Sequence, residues 1–135
     1  MRFKLKVRRG ARALVMLIGR PEIDFEQFAV CRCDERNFRE ALRYAQSRVA
    51  LPTFIIGGDF AIRAAEHVLD LRGVVAWNPS EAASEAASRL TVPLLVIGGA
   101  PQVAGALADA SRLTIGGDDP ELVAHVAARF VGAYS

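Results

Sequence analysis

The sequence predicts an α/β fold, a three-layer sandwich whose mostly parallel central sheet is opened by an antiparallel N-terminal hairpin. Several apolar runs are continuous and strand-sized, which is typical of parallel strands buried on both faces. They alternate with segments whose apolar residues recur at helical spacing, and this alternation indicates βα units. With 135 residues, 52% of them hydrophobic and 24% charged, the chain is expected to form one domain over residues 1–135.

The first two strands are predicted at residues 2–7 and 13–18. Apolar and basic residues alternate in the first, as in a half-buried strand and unlike a secretory signal. The turn residues Arg8, Arg9 and Gly10 separate the two strands, so we expect them to pair as a hairpin.

Strands and helices are then predicted to alternate to the end of the chain. The link over residues 19–27 is short for a parallel crossover, and we expect one helical turn in it at residues 21–26. The predicted strands are 28–33, 51–56, 73–77, 92–97 and 112–115. The predicted helices between them are one that starts after the N-cap Asp34, followed by 60–71, 81–90 and 102–110. A last helix is predicted to start after the N-cap Asp119, with Pro120 at its first position.

The net charge, the length of the apolar runs and the spacing of the cysteines limit the classes of molecule that the protein is expected to bind. A net charge of +2 does not indicate a nucleic-acid-binding protein, and the apolar runs are too short to span a bilayer. Cys31 and Cys33 alternate along one strand, a spacing that does not suit a disulfide, so we expect reduced thiols in a cytoplasmic protein. His67 and His125 lie in helical patterns, and no cofactor or metal site is predicted.

The most informative segment is 51–65, an apolar run that turns through Gly57 and Gly58 into a helix-forming stretch. An abrupt strand-to-helix turn exposes one side chain above the sheet, and here that side chain is Asp59. The nucleophile-elbow pattern G-x-S-x-G asks for small residues two before and two after the nucleophile, and Gly57 and Ala61 meet this requirement. The middle position holds aspartate instead of serine.

From the second strand onward the chain resembles a compact α/β-hydrolase without the lid and the first strand. The resemblance rests on segments that occur in the family's order: Leu17-Ile18-Gly19, the elbow at 57–61, Val74-Val-Ala-Trp-Asn-Pro79, Val92-Pro-Leu-Leu-Val-Ile-Gly-Gly99 and Gly116-Gly-Asp-Asp-Pro-Glu-Leu-Val123. It implies that the strand before Asp59 is central in the sheet.

The resemblance also locates the positions of a catalytic triad, and none holds the usual residue. The acid is expected after residues 92–97, where Ala100 and Pro101 stand, and the histidine before the last helix, where Asp118 and Asp119 stand. Asp59 itself could be a nucleophile, as in the dehalogenase and epoxide-hydrolase branches, but no base is at hand to release the ester. Alternatively, it tolerates a left-handed turn and caps the following helix.

Without a triad, the resemblance still implies an anion-binding site at the position of the family's oxyanion hole. The backbone N–H groups of Phe60 and Arg20 would form it. Arg20 would then face either a bound anion or Asp59, or else be an exposed residue without a role. A metal cluster of Asp34, Asp59 and Asp118 is a weaker alternative. The candidate binding residues are Gly19, Arg20, Gly58, Phe60, Asp118 and Asp119. We expect a hydrolase-like protein without a triad that binds a small anionic or ester-like molecule or acts as an interaction protein, and that forms a homodimer. The alternatives are a hydrolase of esters, epoxides or halides that works through Asp59, and a structural subunit.

Overall fold

The computed structural model describes residues 3–19, 23–99 and 119–135, together with the backbone of 111–113. Within these ranges the chain forms seven strands and four α-helices. The strands are β1 Lys4–Lys6, β2 Leu14–Ile18, β3 Ala29–Cys33, β4 Thr53–Gly57, β5 Leu71–Trp77, β6 Leu94–Ile97 and β7 Ser111–Leu113. The helices are α1 Phe38–Arg48, α2 Asp59–Ala65, α3 Ser84–Ser88, which follows a 3-10 turn at Glu81–Ala83, and α4 Pro120–Tyr134.

The strands form one sheet in the order β1-β3-β2-β4-β5-β6-β7. All neighbouring pairs are parallel except β1 and β3. Strand β4, which precedes Asp59, is the central strand. The predicted α/β class, the mostly parallel sheet and the central position of this strand are therefore confirmed. The predicted helix 102–110 lies outside the described residues.

Helices cover both faces of the sheet, because each central strand is apolar on both sides. In β2, Leu14, Met16 and Ile18 belong to one buried cluster, whereas Val15 and Leu17 belong to the other. The first cluster includes apolar residues of α1, α2 and α3, and the second includes those of α4. This is the predicted three-layer arrangement, with α4 alone among the described helices on its face.

The predicted N-terminal hairpin is wrong. The turn forms, with the Ala11 N–H donating to the Arg8 carbonyl at 3.2 Å, but β1 pairs antiparallel with β3, and Leu5 lies opposite Cys31. Strand β2 is buried on both faces and has parallel neighbours on both sides. The half-polar β1 suits the sheet edge, where the exposed Lys4 and Lys6 oppose pairing with another chain.

The helical turn expected at residues 21–26, between β2 and β3, is also absent from residues 23–26, the described part of that prediction. Ile23, Phe25 and Phe28 are all buried, a spacing that no single helix face provides. Asp24 accepts hydrogen bonds from the backbone N–H of Phe25 at 2.9 Å and from Arg32 at 3.2 Å. The link is therefore an irregular segment packed through its apolar side chains.

Two aspartates, Asp34 and Asp119, were predicted to cap helices, and the structure confirms one of them. Asp119 caps α4 as predicted, accepting from the N–H groups of Glu121 and Leu122 at 3.1 and 3.3 Å. Asp34 instead exchanges two hydrogen bonds with Asn37, at 2.9 and 3.0 Å, and α1 starts after Asn37. No helix in the described part of the chain is long and apolar enough to cross a membrane.

Candidate functional site

The carboxyl ends of the parallel strands bring several loops together at one edge of the sheet, the usual place for ligands in α/β proteins. Gly19 ends β2, Gly58 and Asp59 follow β4, and Asn78 follows β5. The Gly19 N–H donates to the Cys33 carbonyl at 3.0 Å, and the Asn78 N–H donates to the Ile97 carbonyl at 2.8 Å. Backbone hydrogen bonds thus hold this edge together.

The turn from β4 into α2 is as tight as the elbow pattern requires. A Cβ atom added at Gly57 would lie 3.2 Å from the Ala61 Cβ and 3.3 Å from the Ile18 Cβ. Ala61 itself is fully buried. The small residues at positions 57 and 61 are therefore explained by the close approach of α2 to strands β2 and β4.

Asp59 occupies the elbow position, but neither of its expected local roles is observed. Its φ angle is not positive, so it does not use the left-handed region. It is the first residue of α2, after the N-cap Gly58, and no side chain caps this helix. The prediction that Asp59 tolerates a left-handed turn and caps its own helix is wrong, because its carboxylate points to another loop.

The carboxylate of Asp59 is bound by Ser80, which follows β5. Its Oδ1 accepts a hydrogen bond from the Ser80 N–H at 2.6 Å, and its Oδ2 accepts one from the Ser80 hydroxyl. Arg63, one turn along α2, places a guanidinium nitrogen 3.6 Å from Oδ2. The Asp59 side chain is 24% exposed. Both oxygens thus face donors from the protein itself.

The loop that carries Ser80 is fixed by close packing against the next loop. Asn78 has a φ of 51°, a left-handed conformation that asparagine tolerates. Gly99, with a φ of 71°, lies so close that an added Cβ would be 2.5 Å from the Pro79 carbonyl oxygen. Two adjacent loops therefore determine where Ser80 meets Asp59.

Sequence reasoning did not identify Ser80. Its position was nevertheless accessible, because β5 neighbours β4 in the sheet and the residues after both strands emerge at the same edge. A polar side chain two or three residues beyond β5 was therefore a candidate partner for the residue after β4. The contact joins positions 21 apart in sequence, so no local pattern signals it.

Of the other predicted site residues, some lie next to Asp59 and others do not. Gly58 and Phe60 flank Asp59, and the Phe60 ring packs edge-on against Phe38 with centroids 5.6 Å apart. Gly19 ends β2 with a φ of 66°. Asp119 is engaged as the cap of α4. Arg20 and Asp118 lie outside the described residues.

The remaining candidates for chemistry lie elsewhere. His67 and His125 are both exposed, and His67 lies in the turn after α2, not in a helix. No group of three or more potential metal ligands occurs among the described residues. Burial raises the pKa of the Cys31 thiol to about 11 and, with the charges of Cys31 and Asp34, that of Cys33 to about 12. Both thiols are therefore protonated and poorly nucleophilic at neutral pH.

Comparison with known proteins identifies the fold. No protein-family model matches the sequence, and no curated protein matches it. Among solved structures, the fold is similar to that of the esterase domain of a Rhodothermus marinus protein, with a TM-score of 0.78 over 96% of this chain and 91% of that one. The two are 13% identical. The chain therefore has an α/β fold similar to that of this esterase domain, and the likeness extends to the fold alone.

Proposed function

We propose that this chain is an α/β-hydrolase-like protein that has lost the Ser-His-Asp triad and binds a small anionic or ester-like molecule without turnover. The observation that carries the proposal is the pairing of Asp59 with Ser80. The elbow carboxylate accepts two hydrogen bonds from Ser80 and lies beside Arg63. Donors that stabilise a carboxylate lower its reactivity as a nucleophile, so this arrangement favours a structural role for Asp59.

The chemistry of the site supports the same proposal. A carboxylate nucleophile forms an ester that water must hydrolyse, and a base must activate that water. Neither His67 nor His125 hydrogen-bonds to Asp59, and both are exposed. The Ser80 hydroxyl donates to the Asp59 carboxylate, and no histidine in the described part of the chain contacts it, so no imidazole base is present there to activate this hydroxyl.

The alternative is a hydrolase of esters, epoxides or halides that works through Asp59. One observation favours it: Asp59 follows the central strand at a turn packed as tightly as a nucleophile elbow needs, with Gly57 and Ala61 on either side. In this case Ser80 would position the carboxylate for attack.

Hydrolysis of short p-nitrophenyl esters separates the two functions. We expect wild-type protein to give no more turnover than Asp59→Asn, a variant that retains the shape of the side chain. Circular dichroism verifies that both proteins are folded. Turnover that disappears in Asp59→Asn and persists in Arg43→Gln, a change at an exposed residue of α1, would establish the hydrolase instead.

We also propose that the protein is cytoplasmic and forms a homodimer. Cys31 and Cys33 are free thiols, as expected in a reducing compartment.

The homodimer is suggested by the high apolar content of a small domain, with the exposed Leu122 and Tyr134 of α4 as accessible apolar side chains. Sedimentation should give twice the 14.6 kDa chain mass, and a monomer at all protein concentrations would contradict the dimer.

A further inference from the structure

A groove of about 460 Å³ lies beside the elbow, between α1 and α2. Its floor is apolar. Phe38 and Phe60 pack edge-on across the two helices, and Leu42 and Val68 are partly buried next to them. The volume lies within the range of pockets that hold small organic ligands.

The rim of this groove is basic. Arg36 and Arg39 line it from the α1 side and Arg63 from the α2 side, whereas Glu35 is the one acidic residue among its described lining residues. The formal charge of these four side chains is therefore +2. Guanidinium groups above aromatic and aliphatic side chains form a site that is cationic at its rim and apolar at its floor.

The three arginines differ in what they contact. Arg63 is 3.6 Å from Asp59, although its side chain remains 58% exposed. Arg36 and Arg39 are exposed and make no hydrogen bond or ion pair within the described structure. These two arginines, which lack partners in the part of the chain that the structure describes and lie beside an apolar floor, are available to an anion from outside.

We propose that this groove binds an amphiphilic carboxylate, with the acyl chain against the partly buried Phe60, Leu42 and Val68 of its floor and the carboxylate at Arg36 and Arg39. Arginine matches a carboxylate through two parallel N–H donors. The apolar floor explains why a chain is required in addition to the charge, and the cationic rim explains why the head must be anionic. The inference deepens the proposed function and rests on it, since it gives the anionic ligand a site and a chemical class.

Isothermal titration calorimetry with four ligands tests the two requirements separately. Decanoate, kept well below its micelle-forming concentration, carries both features. Acetate carries only the charge, decanol only the chain, and decyltrimethylammonium has the opposite charge. We expect decanoate to bind measurably more tightly than the other three, and its affinity to fall as salt is added because the rim is exposed to solvent.

Two variants of α1 locate the site. Arg39→Gln removes a rim charge, whereas Arg43→Gln makes the same change on an exposed residue of the same helix that does not line the groove. We expect Arg39→Gln to weaken decanoate binding about two- to fivefold, as for an exposed ion pair. The double variant Arg36→Gln/Arg39→Gln should weaken it further, and Arg43→Gln should leave it unchanged.

Several outcomes would overturn the groove site. Equal binding of decanol and decanoate would mean apolar adsorption, and equal weakening by Arg39→Gln and Arg43→Gln would mean a general charge effect. Absence of decanoate binding would also exclude it, as would a dimer in which a second copy covers the groove. Ester turnover that depends on Asp59 would instead contradict the proposed function, and this result is independent of the titrations.

Discussion

The elbow and the groove are adjacent regions of the same layer, and they differ in whether their charged side chains have partners within the protein. At the elbow, the Asp59 carboxylate meets Ser80 and Arg63, so its charge is used within the fold. In the groove, Arg36 and Arg39 have no hydrogen-bond or ion-pair partner among the described residues, and they lie beside an apolar floor. A charged group that is paired inside the protein is held by the fold, whereas one without a partner is available to a ligand. Variants of each region should therefore affect different measurements.

The largest effect is expected at Gly99, which holds the loop carrying Ser80. Gly99→Ala places a Cβ 2.5 Å from the Pro79 carbonyl oxygen at a φ of 71°. Backbone strain and overpacking together should lower the free energy of unfolding by about 2–4 kcal/mol. Urea denaturation followed by circular dichroism measures this change.

Gly132→Ala is the matched control for that substitution. Gly132 lies in α4, is exposed, and an added Cβ would meet nothing within 4 Å. The same chemical change should therefore stabilise the protein by about 0.5–1 kcal/mol through helix propensity. Equal effects of the two substitutions would mean that Gly99 does not constrain the loop.

The next largest effect concerns Asp59. Asp59→Ala leaves the Ser80 N–H and hydroxyl without their acceptor and Arg63 without its neighbour. Because the carboxylate is 24% exposed, water replaces part of what is lost, and we expect the free energy of unfolding to fall by about 1–2 kcal/mol. A more stable Asp59→Ala variant would contradict the structural role, since residues retained for catalysis often cost stability.

The structure also shows which parts of this comparison the sequence could predict. The fold followed from continuous apolar runs such as β2, because burial on both faces leaves a parallel sheet covered by helices as the available arrangement. The cap at Asp119 was predictable because an N-cap depends on neighbouring residues. The hairpin was wrong because a turn at Gly10 determines chain reversal and not which strand lies alongside. The Asp59–Ser80 contact and the Arg36–Arg39 rim were not predicted, because each depends on how separate elements meet and no local sequence pattern signals it.

A smaller effect is expected for Ser80→Ala. This variant removes the hydroxyl donor to Oδ2 but retains the backbone donor to Oδ1, so the free energy of unfolding should fall by about 0.5–1.5 kcal/mol. In a double-mutant cycle with Asp59→Ala, the two losses should be less than additive, because both remove the same interaction. Full additivity would mean that the two side chains act independently.

The smallest effects on stability are expected at the groove, and they complete the contrast with the elbow. Arg63→Gln removes an exposed ion pair one turn apart on α2, which contributes about 0.3–0.5 kcal/mol. Arg39→Gln removes no hydrogen bond or ion pair within the described residues, so the free energy of unfolding should stay within about 0.5 kcal/mol of wild type. The same Arg39→Gln protein should nevertheless bind decanoate less tightly. A binding arginine is distinguished from a structural one when its substitution lowers the affinity for the ligand but not the stability of the fold. A clear loss of stability in Arg39→Gln would instead give Arg39 a structural role, as proposed for Asp59.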